Sequence, residues 1–191
     1  MKRSEFLQNS AQWACGSCLA LVLPSAAAAE TPASDGPPTP VDEALKKAQG
    51  ENQFTNNWLT DLFEAIDTEV DPAVKLRLMQ ACGRGCYRRH KFKQDIAAAG
   101  QGDVDKLLAA YRKNFGIQRE GDLVHIRYGG GHCYCPAARH RPAGRDDLHC
   151  ECTRFTHETI FETALGRHIP VELVETVRRG GKTCHLIAHL A

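Results

Sequence analysis

Two short stretches of the chain repeat the pattern H-C-x-C seventeen residues apart, at His132–Cys135 and His149–Cys152. On extended backbone, successive side chains point to opposite faces, so the two cysteines of one motif would point the same way. If the two motifs meet in space, four thiolates surround one point, which is enough for a tetrahedral metal site. We therefore expect the fold to bring the two motifs together.

The predicted metal ligands are the four cysteines of these motifs, Cys133, Cys135, Cys150 and Cys152. Zinc is the simplest ion to predict because it undergoes no redox change, while all-thiolate coordination also suits Cu(I) or an iron–sulfur cluster. The C-x-C spacing is tighter than the two to four intervening residues that zinc modules commonly use. Further candidate ligands or supporting donors are His132, His149, Cys184, Cys82 and Cys86.

Two other functions stay open for the same cysteines, and the sequence does not decide whether the chain is an enzyme. In a thiol enzyme, Cys152 would be the nucleophile and a neighbouring cysteine would resolve the intermediate, with His149 or His157 as the base. A helix is predicted to begin beside Cys152, and its macrodipole would favour the thiolate. In a disulfide-stabilised interaction module, the motif cysteines would only staple the loop between them.

The first 29 residues have the composition of a secretory signal peptide. Lys2 and Arg3 carry positive charge, residues 13–23 are largely apolar, and alanines fill positions 26–29. The two basic residues also resemble a degenerate twin-arginine export signal. The apolar run is too short for a comfortable membrane span. We predict an exported protein, periplasmic or extracellular, without a stable membrane span after signal cleavage.

Composition divides the chain into the signal peptide at 1–29, a Pro-rich linker at 30–42 and a single cysteine-rich domain at 43–191. Two of the nine cysteines fall inside the signal, so seven remain. An odd number cannot pair completely in disulfides, which favours metal or redox chemistry. The net charge of +1 gives no case for a nucleic-acid partner. A homodimer is compatible with the sequence, and no motif for an organic cofactor is present.

The hydrophobic periodicity predicts N-terminal helices, a strand, and a C-terminal helix that precedes a β-hairpin, so the predicted fold class is α+β. Asn57 is expected to cap one helix. Asp71 followed by Pro72 is expected to begin a second helix, whose buried face includes Cys82. A third helix is expected over about 103–115, where a glycine follows as a natural stop.

Apolar and polar residues then alternate over 124–128, as in a half-buried strand. After the second H-C-x-C motif, Thr153 is expected to cap a helix that Gly166 ends. This assignment puts Cys152 at or just before the start of the helix.

The last part of the chain is predicted to be a hairpin. Residues 169–173 and 184–190 alternate between apolar and polar side chains, and the glycine-containing segment 178–181 forms the turn. His185 and His189 are expected on the exposed face, too far apart to bind one ion together.

The stretch from Phe161 to Glu175, followed by Arg179–Cys184, resembles the C-terminal part of the 4-vinyl-reductase domain, also called the hydrocarbon-binding family. The shared elements are a helix that ends in Leu-Gly-Arg, a strand rich in valine and glutamate, and a glycine turn that leads to a cysteine on the final strand. The likeness covers less than a quarter of the chain.

The resemblance implies an antiparallel sheet packed by helices around a small pocket, with a small hydrophobic molecule as the ligand. In members that sense aromatic compounds, a cysteine-rich zinc site supports the pocket, and Cys184 resembles its last ligand. Thr176 stands where those sensors place another cysteine, so the H-C-x-C motifs would have to supply replacement ligands. An export signal argues against the transcriptional role of those regulators.

Overall fold

The computed structural model describes residues 39–191. The predicted signal peptide and the predicted linker as far as residue 38 lie outside the described residues. The helices are α1 (Pro40–Glu69), α2 (Pro72–Arg89), α3 (Lys91–Ala99), α4 (Val104–Tyr111) and α5 (His149–Leu165). The strands are β1 (Gly116–Glu120), β2 (Leu123–Arg127), β3 (Val171–Glu175) and β4 (His185–His189), and a short 3₁₀ turn spans Val177–Arg179.

The four strands form one antiparallel sheet in the order β1-β2-β4-β3. Two hairpins, β1–β2 and β3–β4, join where β2 pairs with β4, so Ile126 faces Ile117 on one side and Leu186 on the other. Val124 and Ile126 of β2 are fully buried, as are Leu186 and Ala188 of β4. This alternation is expected where one face of an antiparallel sheet covers a core.

The core lies between this face of the sheet and helices α3, α4 and α5. At its centre, the rings of Tyr111 and Phe161 stack with centroids 5.2 Å apart, and both side chains are fully buried. Gly166 ends α5 in the left-handed conformation, with φ 67°, which glycine adopts without a steric penalty. The predicted α+β fold with an antiparallel sheet is confirmed.

Helix α2 packs along α5 and begins as predicted. Asp71 accepts a hydrogen bond from the Ala73 N–H at 2.8 Å, and proline occupies the first helical turn. The prediction that Cys82 is buried was wrong, because the buried face of α2 consists of Met79, Gly83 and Gly85, whereas Cys82 is exposed.

Two of the predicted helix boundaries were also wrong. Asn57 lies inside α1 instead of capping a helix, and its side chain accepts a hydrogen bond from Gln53 at 2.8 Å. Helix α4 ends at Tyr111 rather than near residue 115, and Gly116 starts β1. Strand β1 has an almost entirely exposed side-chain pattern, so the sequence carries no alternation from which to predict it.

The predicted hairpin is present as β3 and β4, but His185 is not on the surface. It is buried, and its ring stacks on that of His125 with centroids 5.2 Å apart. None of the described helices combines the length and the apolar composition needed to cross a membrane.

Candidate metal centre

A small cavity of about 40 Å³ lies where β4, the start of α5 and the loop after β2 meet. Its lining includes five sulfur and nitrogen donors, on Cys133, Cys135, His149, Cys150 and Cys184. Four thiols and an imidazole around so small a space form a candidate metal centre.

Three separate segments supply these thiols. Cys133 and Cys135 lie on irregular backbone after β2. Cys184 directly precedes β4, and its carbonyl oxygen accepts a 3.0 Å hydrogen bond from the residue that follows β2. Cys150 lies in the first turn of α5 and donates to Thr176 Oγ1 at 3.3 Å. Thr176 therefore lies against the cavity.

The second H-C-x-C motif is helical, which corrects the expectation of extended backbone and of Thr153 as the helix cap. Helix α5 begins at His149, where the Asp147 carboxylate accepts a hydrogen bond from the His149 N–H at 2.9 Å. This hydrogen bond satisfies the His149 N–H, which, in the first turn of the helix, has no carbonyl acceptor within the helix. Residues two apart on a helix point roughly 200° apart. Cys150 therefore lines the small cavity, whereas Cys152 lines a different one.

The second cavity is larger, with a volume of about 560 Å³. Three thiols line it, those of Cys86, Cys135 and Cys152. Four aromatic side chains share the lining: Phe92, Phe115, Tyr128 and Tyr134. Cys135 lines both cavities, Cys133 and Cys150 line the small one, and Cys152 lines the larger one. The motif cysteines are thus divided between two neighbouring cavities and do not converge on one point.

The His149 ring is uncharged and lies beside a cavity thiol. Its Nε2 lies 3.2 Å from Cys135 Sγ, and its Nδ1 is buried with no hydrogen-bond partner among the described residues. Burial, reinforced by the positive charge of Arg141, lowers the pKa of His149 to about 4. The ring is therefore neutral near pH 7, and neutral imidazole is the form that binds metals.

Burial keeps Cys135, Cys150 and Cys184 protonated. It raises the pKa of Cys150 to about 11 and also raises the pKa values of Cys135 and Cys184. A metal ion that binds here must displace these protons, because the thiolate is the ligand. Affinity for a metal should therefore increase with pH.

Among the described residues, no three of the cavity sulfurs lie within 4.8 Å of one another. Zn–S bonds of about 2.3 Å in a tetrahedral site require sulfurs about 3.8 Å apart. In the part of the chain that the structure describes, three potential metal ligands do lie within 4.8 Å of one another elsewhere, on Glu158, Glu162 and His168. Glu158 already pairs with Arg154 at 3.1 Å, so this set is an ion-pair cluster. Metal binding would have to draw the cavity thiols inward.

A buried ion pair holds the loop between the two motifs. Arg178 Nε donates to Asp147 Oδ2 at 2.7 Å, and Arg141 Nη2 donates to Asp147 Oδ1 at 2.8 Å. The Arg178 guanidinium also donates to the carbonyl oxygens of Ala138 and Pro142. Sequence reasoning missed these residues, because an arginine in a turn and an aspartate in a polar loop carry no sign of burial.

The residues predicted for catalysis do not face one another. His157 is fully buried, and the hydroxyls of Tyr111 and Tyr128 lie 3.2 Å and 2.9 Å from its two ring nitrogens. Burial raises the pKa of Cys152 to about 12. This direction is opposite to the shift expected from the helix macrodipole.

The remaining candidate ligands lie outside the small cavity. His132 is exposed and packs against the ring of Tyr134 with centroids 4.2 Å apart. Cys82 is exposed, and Cys86 lines the larger cavity. Within residues 39–191, all seven cysteines are free thiols.

Residues 41–190 match the profile of DUF6144, a family of unknown function. The chain belongs to the DUF6144 family. No curated protein and no solved structure gives a significant match. The DUF6144 match covers both H-C-x-C motifs and both cavities, so the candidate centre lies within the family domain.

Proposed function

We propose that this DUF6144 domain binds one thiolate-preferring metal ion through Cys133, Cys135, Cys150 and Cys184. The observation that supports this is the 40 Å³ cavity, whose lining combines four thiols from three segments. Soft sulfur donors favour Zn, Cu(I) and iron–sulfur clusters, and zinc is the simplest ion for a closed structural site of four thiolates.

The proposed ligand set differs from the set predicted from sequence at one position. Cys184 takes the place of Cys152, because Cys152 lines the other cavity. His149 would hold the Cys135 thiolate through Nε2, as a supporting donor that orients the ligand.

Elemental analysis with absorption spectroscopy on anaerobically purified protein tests the proposal. We expect about one metal ion per chain, and its loss in the double variant Cys133→Ser plus Cys150→Ser. Cys82→Ser is the matched control, since this exposed thiol lies outside the cavity and should leave the metal content unchanged. A wild-type protein without stoichiometric metal would reject the proposal, and bridges found by intact mass would favour the disulfide-stabilised module instead.

A second comparison separates the two ligand sets. Cys184→Ser should lower metal affinity strongly, whereas Cys152→Ser should leave it nearly unchanged. The reverse result would restore the set predicted from sequence. Because a bound metal replaces thiol protons, affinity measured with a competing chelator should fall as the pH is lowered.

A small hydrophobic ligand is a second candidate function, which the resemblance to the 4-vinyl-reductase domain implies. The 560 Å³ cavity and its aromatic lining support it, since ligand pockets of this size are mainly apolar. Binding of anilinonaphthalene sulfonate, followed by fluorescence, should weaken in Phe92→Ala. Phe54→Ala, on the exposed face of α1, is the control. Equal binding by both variants would count against this ligand site.

Export also remains a proposal, supported by the composition of residues 1–29. N-terminal sequencing of the mature protein from its native host tests it. Cleavage near the alanines at 26–29 is expected, and a mature chain that keeps residues 1–29 would contradict it.

A further inference from the structure

Cys86 lies against a positive charge. Lys93 Nζ donates a hydrogen bond to Cys86 Sγ at 2.8 Å. The chain turns at His90 between α2 and α3, and this turn lets the lysine reach back across the helix junction. A cysteine beside a lysine ammonium is the arrangement in which proteins use a thiolate as a nucleophile.

Cys152 faces the same cavity as Cys86, from the neighbouring helix. Helices α2 and α5 approach closely at Gly83, where a Cβ atom would lie 2.7 Å from the Cys152 carbonyl oxygen. Cys86 follows Gly83 by three residues, which is about one helical turn. The close approach shortens the distance that a Cys86–Cys152 disulfide would have to span.

The cavity around Cys86 and Cys152 is lined by aromatic side chains and is open to solvent. Phe92, Phe115, Tyr128 and Tyr134 share its lining, and Phe92 is 42% exposed. An aromatic compound can therefore enter from solvent and pack against rings beside the two sulfurs.

We propose that Cys86 and Cys152 form a dithiol that undergoes exchange with small aromatic disulfides, with Cys86 as the attacking thiolate and Cys152 as the resolving thiol. This inference does not depend on the proposed metal site, because neither Cys86 nor Cys152 is a proposed ligand. The two sites share only Cys135, a proposed ligand that lines both cavities.

The exchange has two steps. The Cys86 thiolate attacks one sulfur of the small disulfide, its S–S bond breaks, one thiolate leaves and a mixed disulfide forms on Cys86. Cys152 then gives its proton to the departing sulfur and attacks Cys86 Sγ, which releases the second thiol. The two protein cysteines are oxidised by two electrons, and the small disulfide is reduced to one thiolate and one thiol, the thiol carrying the proton from Cys152.

The first test measures which cysteine of the full chain reacts first. The purified protein is treated with less than one equivalent of dipyridyl disulfide, quenched with acid and mapped by peptide mass spectrometry. We expect the first modification on Cys86, followed by a Cys86–Cys152 bridge and two released pyridinethiones. Cys82, four residues earlier on the same helix and exposed, is the internal comparison. Modification of Cys82 before Cys86 would overturn the proposal.

The second test uses variants with matched controls. Cys152→Ser should keep the first step but accumulate the mixed disulfide on Cys86, with one pyridinethione released. Lys93→Gln should slow the first step by about tenfold or more, because it removes a charge-assisted hydrogen bond. Lys91→Gln should leave the rate of the first step unchanged, since Lys91 pairs with Asp95 at 2.7 Å on the exposed face of α3.

The outcomes of the two proposals are distinguishable. The exchange is repeated on the double variant Cys133→Ser plus Cys150→Ser, in which we expect the same bridge without the metal. A bridge that involves Cys135 instead of Cys152, or equal rates for Lys93→Gln and Lys91→Gln, would overturn the dithiol assignment and leave the metal proposal unchanged.

Discussion

At the scale of single residues, His157 is a buried polar side chain with a partner at each ring nitrogen. Its exposed fraction is 1%, and its two ring nitrogens lie within hydrogen-bond distance of the Tyr111 and Tyr128 hydroxyls. Burial raises the pKa of both tyrosines, so they remain neutral donors and acceptors. Burial, reinforced by the charge of Lys93, lowers the pKa of His157 to about 3. A neutral imidazole thus links α4, α5 and the end of β2.

We predict that this histidine makes the domain sensitive to acid. Between about pH 6.5, the usual pKa, and pH 3 the unfolded chain binds a proton that folded His157 excludes. The free energy of unfolding should therefore fall as the pH falls, by at most about 1.4 kcal/mol per pH unit from this group. His149 and His185, whose pKa values are also lowered, add to the slope.

The measurement is the difference between urea denaturation series from pH 7 to pH 4 for wild type and His157→Gln. The variant loses stability at pH 7 because Tyr111 and Tyr128 lose their shared partner, but its pH dependence should be shallower. His140→Gln, at an exposed loop position, should retain the wild-type slope. A His157→Gln variant with an unchanged slope would contradict the prediction.

At the scale of secondary-structure elements, the contact between α2 and α5 depends on one glycine. A Cβ atom on Gly83 would meet Phe155 Cβ and the Cys152 carbonyl oxygen, both at 2.7 Å. A Cβ atom on Gly85 would meet only the flexible end of Arg89 at a comparable distance. Thr156 Oγ1 also donates to the Gly83 carbonyl oxygen at 3.1 Å, which fixes the register of the two helices.

We expect Gly83→Ala to lower the free energy of unfolding by about 1–3 kcal/mol, because overpacking forces the helices apart. Gly85→Ala should be neutral or stabilise by up to about 1 kcal/mol, since alanine is the better helix former. Chemical denaturation of the two variants checks this. Equal effects of the two substitutions would show that α2 does not rely on close packing at Gly83.

The local signals in the sequence predicted the elements better than the site. Asp71 with Pro72 and the left-handed Gly166 mark real helix ends, because capping chemistry is local. The sequence singled out the motif cysteines as candidate ligands, and the structure divides them between two cavities because α5 begins at His149 rather than at Thr153. That start is set by the Asp147 carboxylate, whose position depends on a distant arginine. Long-range contacts of this kind leave no local pattern in the sequence.

At the scale of the whole domain, Arg178 connects parts of the chain that are far apart in sequence. Its side chain and that of Asp147 are 4% and 3% exposed. Asp147 also pairs with Arg141, whose guanidinium lies 4.8 Å from the centre of the Phe63 ring on α1. The turn before β4, the loop between the motifs, the start of α5 and the long helix α1 are thus joined through one carboxylate.

We predict that Asp147→Asn releases this loop. Removing the carboxylate leaves the buried Arg178 charge uncompensated, which typically costs about 3–5 kcal/mol, so thermal denaturation should show a large loss of stability. Because the same loop carries Cys133 and Cys135 towards the small cavity, metal affinity measured against a chelator should fall as well, even though no proposed ligand is changed. Asp146→Asn is the matched control, since the neighbouring carboxylate is exposed and should affect neither quantity. If Asp147→Asn loses stability but binds metal as tightly as wild type, the loop does not position the thiols. If neither quantity changes, the ion pair has no structural role, and the start of α5 must be fixed by its packing against α2 alone.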